Sequence, residues 1–224
     1  MRDAVGGLRG GAELRAVVFD LWDTLIDWDP AAAAAMAQSV AGRVPGFAER
    51  WRRSPTRYTV PIRTALAESG VGADLMDEVC AIRLEYVRGS LRPRPGVVET
   101  LRALRERGFL LGLITVCTEE VESLWPESDF AGLFDAVVFS SAVGVSKPDP
   151  RIYRRCCELL EVEPEEAVFV GDGANDELAG ARRVGMKAVL IHRPGEEPLW
   201  PEVRTWNGPR VTSVPEVLEV LERC

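Results

Sequence analysis

The sequence predicts an α/β protein: a mostly parallel sheet flanked by helices, with an all-helical block set in after the first strand. Three observations carry this. From residue 95 onward, short apolar runs alternate with helical stretches, and strands alternating with helices of about ten residues make right-handed βαβ units. The first apolar run, residues 16–19, is β-branched, apolar on both faces, and stops at Asp20. A strand buried on both sides in a parallel sheet reads this way. In between, residues 28–94 hold only helical patterns and end in Arg92-Pro-Arg-Pro-Gly96, a linker composition.

The elements follow in order. Residues 1–13 are glycine-rich, lack the apolar segment of a secretory signal, and read as a flexible tail. Asp27-Trp-Asp-Pro30 is a turn or helix start, and the alanine-rich stretch 31–41 is a strong helix former broken by Pro45-Gly46. Residues 43–63 carry six arginines against one acid, Glu49. Helical patterns return at 61–69 and at 74–89, the latter with apolar Leu75, Met76, Val79, Ile82 and Val87. Beyond the linker, 97–107 is a helix ended by Gly108, and 109–115 is a second strand. Thr118-Glu-Glu opens a helix with its acids at the positive end of the dipole. Strands follow at 136–140, 167–171 and 187–191, with helices at 150–160 and 176–184 between them. A proline-rich loop, 194–209, leads to a final amphipathic helix at 213–223. The expected division is therefore a tail over 1–13, a core from 14–27 and 95–224, and a helical domain over 28–94.

Composition excludes several functions. With 46% hydrophobic and 28% charged residues, the 224-residue chain can bury one substantial core and a small second unit. A net charge of -8 argues against nucleic acid as a partner, because phosphate backbones need a basic footprint. No run of 18 apolar residues suggests a membrane span. Five cysteines without a CxxC or regular framework suggest free thiols in the cytoplasm, with Cys156 and Cys157 divided between the two sides of a helix. A single histidine, His192, rules out a His-rich zinc site and leaves little for a Ser-His-Asp arrangement. The available chemistry is that of carboxylates, hydroxyls and lysine.

Ligands of open parallel sheets bind beyond the carboxyl ends of the strands, and here those ends carry reactive groups. The first strand ends at Asp20 with Thr24 in the turn beyond, the second at Thr115, and the fourth at Gly171-Asp172. Between them lies Ser146-Lys147-Pro148-Asp149-Pro150. Taken singly, Asp20 also reads as a turn cap, Lys147 as a solvated lysine, and Gly171-Asp-Gly-Ala-Asn-Asp176-Glu177 as a turn into a helix. Together, carboxylates gathered at one sheet mouth cannot all stay ionised without a cation. An all-oxygen site of this kind suits Mg²⁺.

In this order and spacing the residues resemble the haloacid dehalogenase superfamily. Its motifs are a strand ending in Asp, a strand ending in Ser or Thr, a Lys, and a strand ending in Gly-Asp with an acid four or five residues later. The resemblance covers nearly all of 14–224 and implies a Rossmann-like core with helices on both faces and a small all-helical cap domain. It further implies an Mg²⁺-dependent hydrolysis of small phosphate monoesters. Asp20 would form an aspartyl phosphate; the metal would be held by Asp20, the Trp22 carbonyl and Asp172, with Asp176 or Glu177 in support. Thr115, the Val116 N–H and Lys147 would hold the phosphate oxygens.

One departure matters. The phosphatases of this superfamily carry an acid/base Asp two residues after the nucleophile, where this chain has Trp22, and the next carboxylate is Asp23. Asp23 or a water chain could substitute, or the leaving group could need no proton. The superfamily's 2-haloacid dehalogenases also carry an aromatic residue there and use the Asp as a carbon nucleophile without metal, which makes such a hydrolase one alternative. A catalytically degenerate phospho-ligand-binding protein is another. Thr115-Val116-Cys117 also lacks the Asn that many relatives have after the hydroxyl residue. In the arginine segment, Arg52 and Arg53 are the candidates for the far end of an anionic substrate, against the plainer reading of a solvated face. The expected partner is a small phosphorylated substrate, with no nucleic acid or membrane, for a monomer or homodimer.

Overall fold

The computed structural model describes residues 12–222. The expected tail therefore lies, up to residue 11, outside the described residues. The chain begins with β1 (Ala16–Phe19) and passes through four helices, α1 (Pro30–Ala41), α2 (Phe47–Arg53), α3 (Ile62–Glu68) and α4 (Met76–Ser90). It continues as α5 (Val97–Glu106), β2 (Leu110–Thr115), α6 (Glu119–Leu124), β3 (Ala136–Phe139), the short α7 (Ser140–Val143) and α8 (Pro150–Leu160). Then come β4 (Ala167–Gly171), α9 (Glu177–Val184), β5 (Lys187–Ile191), α10 (Pro201–Thr205), β6 (Arg210–Val211) and α11 (Glu216–Glu222). No helix among these is long and apolar enough to cross a membrane.

The strands form one sheet in the order β3-β2-β1-β4-β5-β6, and every pairing is parallel. Phe19 lies opposite Leu113 of β2 and Val170 of β4. The chain fills the sheet from β1 outward to β3, then crosses back to lay β4 on the other side of β1. Adjacent loops diverge at that switch point and open a crevice at the carboxyl ends, where Asp20 and Asp172 emerge.

Alternation along the strands explains the layers. Val17 and Phe19 enter one apolar cluster with Leu101 and Leu104 of α5 and Val217 of α11. Ala16 and Val18 enter another, with Ile152, Tyr153 and Cys156 of α8 and Leu178 and Ala181 of α9. The sheet is thus covered on both faces, and its strands read as continuous apolar runs because neither face meets water. Met36, Val40, Phe47, Leu66 and Val79 make a third cluster inside the helical block, so α1 to α4 bury their own apolar stripes.

Three expectations are corrected. The loop over 194–209 contains α10, started by Trp200-Pro201, and it delivers a sixth strand. A two-residue strand leaves no periodicity to read; β6 is defined by pairing, Leu190 N–H donating to the Pro209 carbonyl and His192 N–H to Val211, each at 3.0 Å. Cys156 and Cys157 do not split between two sides of α8, since both are buried. The apolar stripe of α8 is wide enough to take both, as expected of a helix packed on a sheet.

Candidate active site

The crevice at the switch point is built around one ammonium. Lys147, buried like Asp20, donates to Asp20 Oδ1 and to Glu177 Oε2 at 2.5 Å, above the Phe169 ring at 5.3 Å from its centroid. Asp20 continues the pairing of β1 through its N–H to the Val170 carbonyl, at 2.9 Å, which fixes its side chain at the strand end. Asp20, Asp172 and Glu177 each bring a carboxylate oxygen within 4.8 Å of the others. Gly171 makes room for this: a Cβ there would meet Glu177 Oε1 at 2.2 Å.

Three carboxylates share one ammonium, and the proton affinities reflect it. Burial raises Asp20 to about 7, with Lys147 opposing and Glu177 adding to the rise. Burial and then the Asp20 charge raise Asp172 to about 6. Burial raises Glu177 to about 7, with Lys147 opposing and Asp172 adding. Burial alone would lower Lys147, but the Asp20 and Glu177 charges overcome it and hold the ammonium well above its ordinary value. An all-oxygen set with surplus negative charge fits a hard divalent cation such as Mg²⁺.

A pH-dependence follows from these shifts. Between about pH 4 and pH 7 the folded chain holds more protons on these carboxylates than the unfolded chain, so their contribution to stability falls as pH rises through that window. A cation competes with those protons. Mg²⁺ is therefore expected to raise the melting temperature more at pH 7.5 than at pH 5, and Asp172→Asn to remove most of that difference. Equal shifts at the two pH values, read by scanning calorimetry, would refute this reading of the cluster.

Other expected site residues divide. Thr115 Oγ1 is buried without a hydrogen-bond partner, as is Thr24 Oγ1. Orphaned hydroxyls are costly, and an anion's oxygens would satisfy them. Val116, next along from Thr115, is half-buried. The structure brings Glu177 rather than Asp176 to the cluster. Asn175 and Asp176 both take left-handed backbone, at φ 53 and 56°, a turn that leaves Asp176 exposed and the following Glu177 buried. Trp22 packs half-buried against the apolar cluster that holds Val17 and Phe19. Asp23, itself at φ 55°, has Oδ1 on the Trp28 N–H at 3.1 Å and on the Arg94 guanidinium at 3.4 Å. Burial raises its pKa, with the Trp28 N–H and Arg94 holding the rise back.

Arg52 and Arg53 are not part of this centre. They sit exposed on the last turn of α2, and Arg53 pairs with Glu49 at 3.2 Å. Their neighbours serve the helical block itself. Arg50 donates to the Ser69 carbonyl at 2.7 Å, and Arg57 caps the end of α2 through the Trp51 carbonyl at 2.5 Å. Terminal carbonyls of short helices need donors, which is where this positive charge is used.

Residues unnoticed in the sequence support the centre. Arg94, in the second linker, donates to the carbonyls of Asp23 and Thr24, the latter at 3.1 Å, and to Asp27 Oδ1 at 2.8 Å. It ties together the two crossings between the helical block and the sheet. Glu202 of α10 accepts the N–H groups of Leu178 at 3.0 Å and Ala179 at 2.7 Å, capping α9 just after Glu177. Arg83 of α4 is buried against Glu120 of α6, at 2.6 Å. A signal for it existed: Met76, Val79, Arg83 and Val87 form the buried stripe of α4, so the arginine occupies an apolar position.

Comparison with known proteins agrees with this geometry. The chain is 30% identical over 200 residues to a glyceraldehyde 3-phosphate phosphatase of Methanopyrus kandleri, covering 80% of this chain and 84% of that one. It is 33% identical over 190 residues to phosphoglycolate phosphatase 1 of Pseudomonas aeruginosa, covering 79% and 69%. The structure of a 2-haloacid dehalogenase from Pseudomonas syringae superposes with a TM-score of 0.69 and 27% identity, covering 94% of this chain and 99% of that one. The family described as haloacid dehalogenase-like hydrolase matches residues 14–185. With its parallel six-stranded sheet and carboxylates at the switch point, the chain belongs to the haloacid dehalogenase-like hydrolases.

Proposed function

We propose that this hydrolase is an Mg²⁺-dependent phosphatase of small phosphorylated compounds, working through an aspartyl phosphate on Asp20. The observation that carries it is the Asp20, Asp172 and Glu177 cluster, more acidic than its one lysine neutralises. Asp20, Asp172 and Glu177, with the Trp22 carbonyl, would hold Mg²⁺. The ion would supply positive charge against which a phosphate and a carboxylate nucleophile can approach. Asp20 attacks phosphorus, splitting one displacement into two. The Thr115 hydroxyl, the Val116 N–H and the Lys147 ammonium hold the equatorial oxygens as charge spreads over them. Residues 28–94 act as a cap over the crevice, excluding bulk water and large substrates.

A second reading is a 2-haloacid dehalogenase, favoured by Trp22 beside the nucleophile and by the similar dehalogenase structure. Its anionic substrate would meet three carboxylates, which disfavours it. A panel of phosphate esters and 2-chloroacids, with Mg²⁺ and with EDTA, separates the two. Phosphate release that vanishes in EDTA is expected, and Asp20→Asn should lower it by on the order of 10⁴-fold or more. Chloride release that persists in EDTA would establish the second reading instead. Mg²⁺-dependent ligand binding without turnover would make the chain a degenerate binder.

A further inference from the structure

Breaking a phosphate ester sends an electron pair to the leaving oxygen. An alkoxide accepts that pair readily only with a proton, whereas a phenolate or carboxylate departs without one. The acids available at the crevice therefore set the substrate class, and four of those that follow β1 and β2 already have partners. Asp20, Asp172 and Glu177 surround Lys147 and are the groups that would hold the cation. Residue 22 is a tryptophan, with no proton to give in this range. Asp23 Oδ1 is taken by Trp28 N–H and Arg94, and Asp27 is paired with Arg94 at 2.8 Å and Arg193 at 3.0 Å. Across the rim, after β2, Glu119 Oε2 accepts the Ile62 N–H at 2.7 Å, and Glu120 is buried against Arg83. Burial pushes the Cys117 thiol up to about 12, too weak an acid to help.

We propose that the preferred substrates are aryl and acyl phosphates, whose leaving oxygen departs as a weakly basic anion, over alkyl phosphates. This rests on the phosphatase reading above and narrows it. A bond forms from an Asp20 carboxylate oxygen to phosphorus while the bond from phosphorus to the leaving oxygen breaks. That oxygen keeps the electron pair and departs as phenolate or carboxylate. Water then attacks phosphorus, Asp20 is released, and the surplus proton passes to solvent with inorganic phosphate as product. The alkyl phosphates named for the two relatives are the natural counter-substrates.

The test uses the full chain with Mg²⁺ and reads kcat/KM for substituted phenyl phosphates of graded leaving-group acidity. Acetyl phosphate serves as the acyl arm; phosphoglycolate and glyceraldehyde 3-phosphate serve as the alkyl arm. Rates should fall steeply as the leaving group becomes more basic, with the alkyl arm about 10² to 10⁴-fold below phenyl phosphate, the range a positioned acid contributes. Asp23→Asn should leave that slope as it was, and Trp22→Asp should raise the alkyl arm at least tenfold. Similar rates across all arms would overturn the inference alone, as would a slope that steepens in Asp23→Asn, since Asp23 would then be the acid. A folded Trp22→Asp with unchanged alkyl rates would also overturn it. No phosphate from any arm would bring down the phosphatase reading itself. The native series decides the matter even if neither variant folds.

Discussion

Lys147→Met is expected to destabilise the fold by about 3–5 kcal/mol at pH 8, the usual cost of stripping the partner from a buried charge. It should also lower turnover by on the order of 10²- to 10³-fold, as removal of one charge-stabilising donor does. Methionine keeps the length and apolar stem of the lysine, so the contact with Phe169 survives. What disappears is the ammonium between Asp20 and Glu177, whose side chains are 5% and 0% exposed. The sign of the pH-dependence identifies the cause. Both carboxylates already titrate at about 7, and without the lysine they rise further. At pH 5 they are protonated in the variant, and the deficit should shrink; it should grow as the pH rises from 5 to 8. Urea titration at the two pH values measures this, and a deficit independent of pH would assign the loss to packing instead.

Part of this site was legible in the sequence because three of its residues stand where a strand stops. Asp20, Thr115 and Asp172 each close a run of apolar residues, and such a run ends abruptly only where the chain leaves the sheet. The parallel order then had to bring those ends to one rim. The choice between Asp176 and Glu177 depended on backbone hand at two positions. Asn175 and Asp176 are residue types that tolerate left-handed geometry, but tolerance does not say that they adopt it. Tertiary contacts hid the rest. Arg94 and Glu202 act on backbone groups far along the chain, and only the folded loops bring those groups within reach. Arg50 and Arg57 likewise serve carbonyls at the ends of α3 and α2, contacts that charge and spacing alone do not announce. The strand at 210–211 exists only because β5 offers an edge.

The buried pair between Arg83 and Glu120 carries the other large expected effect, at the join of the helical block to the sheet. Arg83 donates to Glu120 Oε1 at 2.6 Å and to Thr118 Oγ1 at 3.2 Å, and stacks over the Trp51 ring at 4.0 Å from its centroid. Both side chains are at most 5% exposed, so salt cannot screen the pair and water cannot replace a lost partner. Glu120 Oε2 already lacks a hydrogen bond. Arg83→Met should therefore cost about 3–5 kcal/mol, since it takes away the donor on Glu120 Oε1 and leaves the carboxylate buried. That corresponds to a melting temperature lower by roughly 10 °C for a chain of this size. The double variant Arg83→Met with Glu120→Met should recover most of the loss, because replacing both charges with apolar groups of similar volume removes the desolvation cost. The double-mutant cycle, read by chemical denaturation, distinguishes two roles for the pair. Strong coupling with recovery means that the charges hold each other; a double variant as unstable as the single would mean that Arg83 acts through Trp51 and Thr118. Thr118 lies three residues beyond Thr115, so in the first case the same pair anchors the helical block beside the carboxyl end of β2.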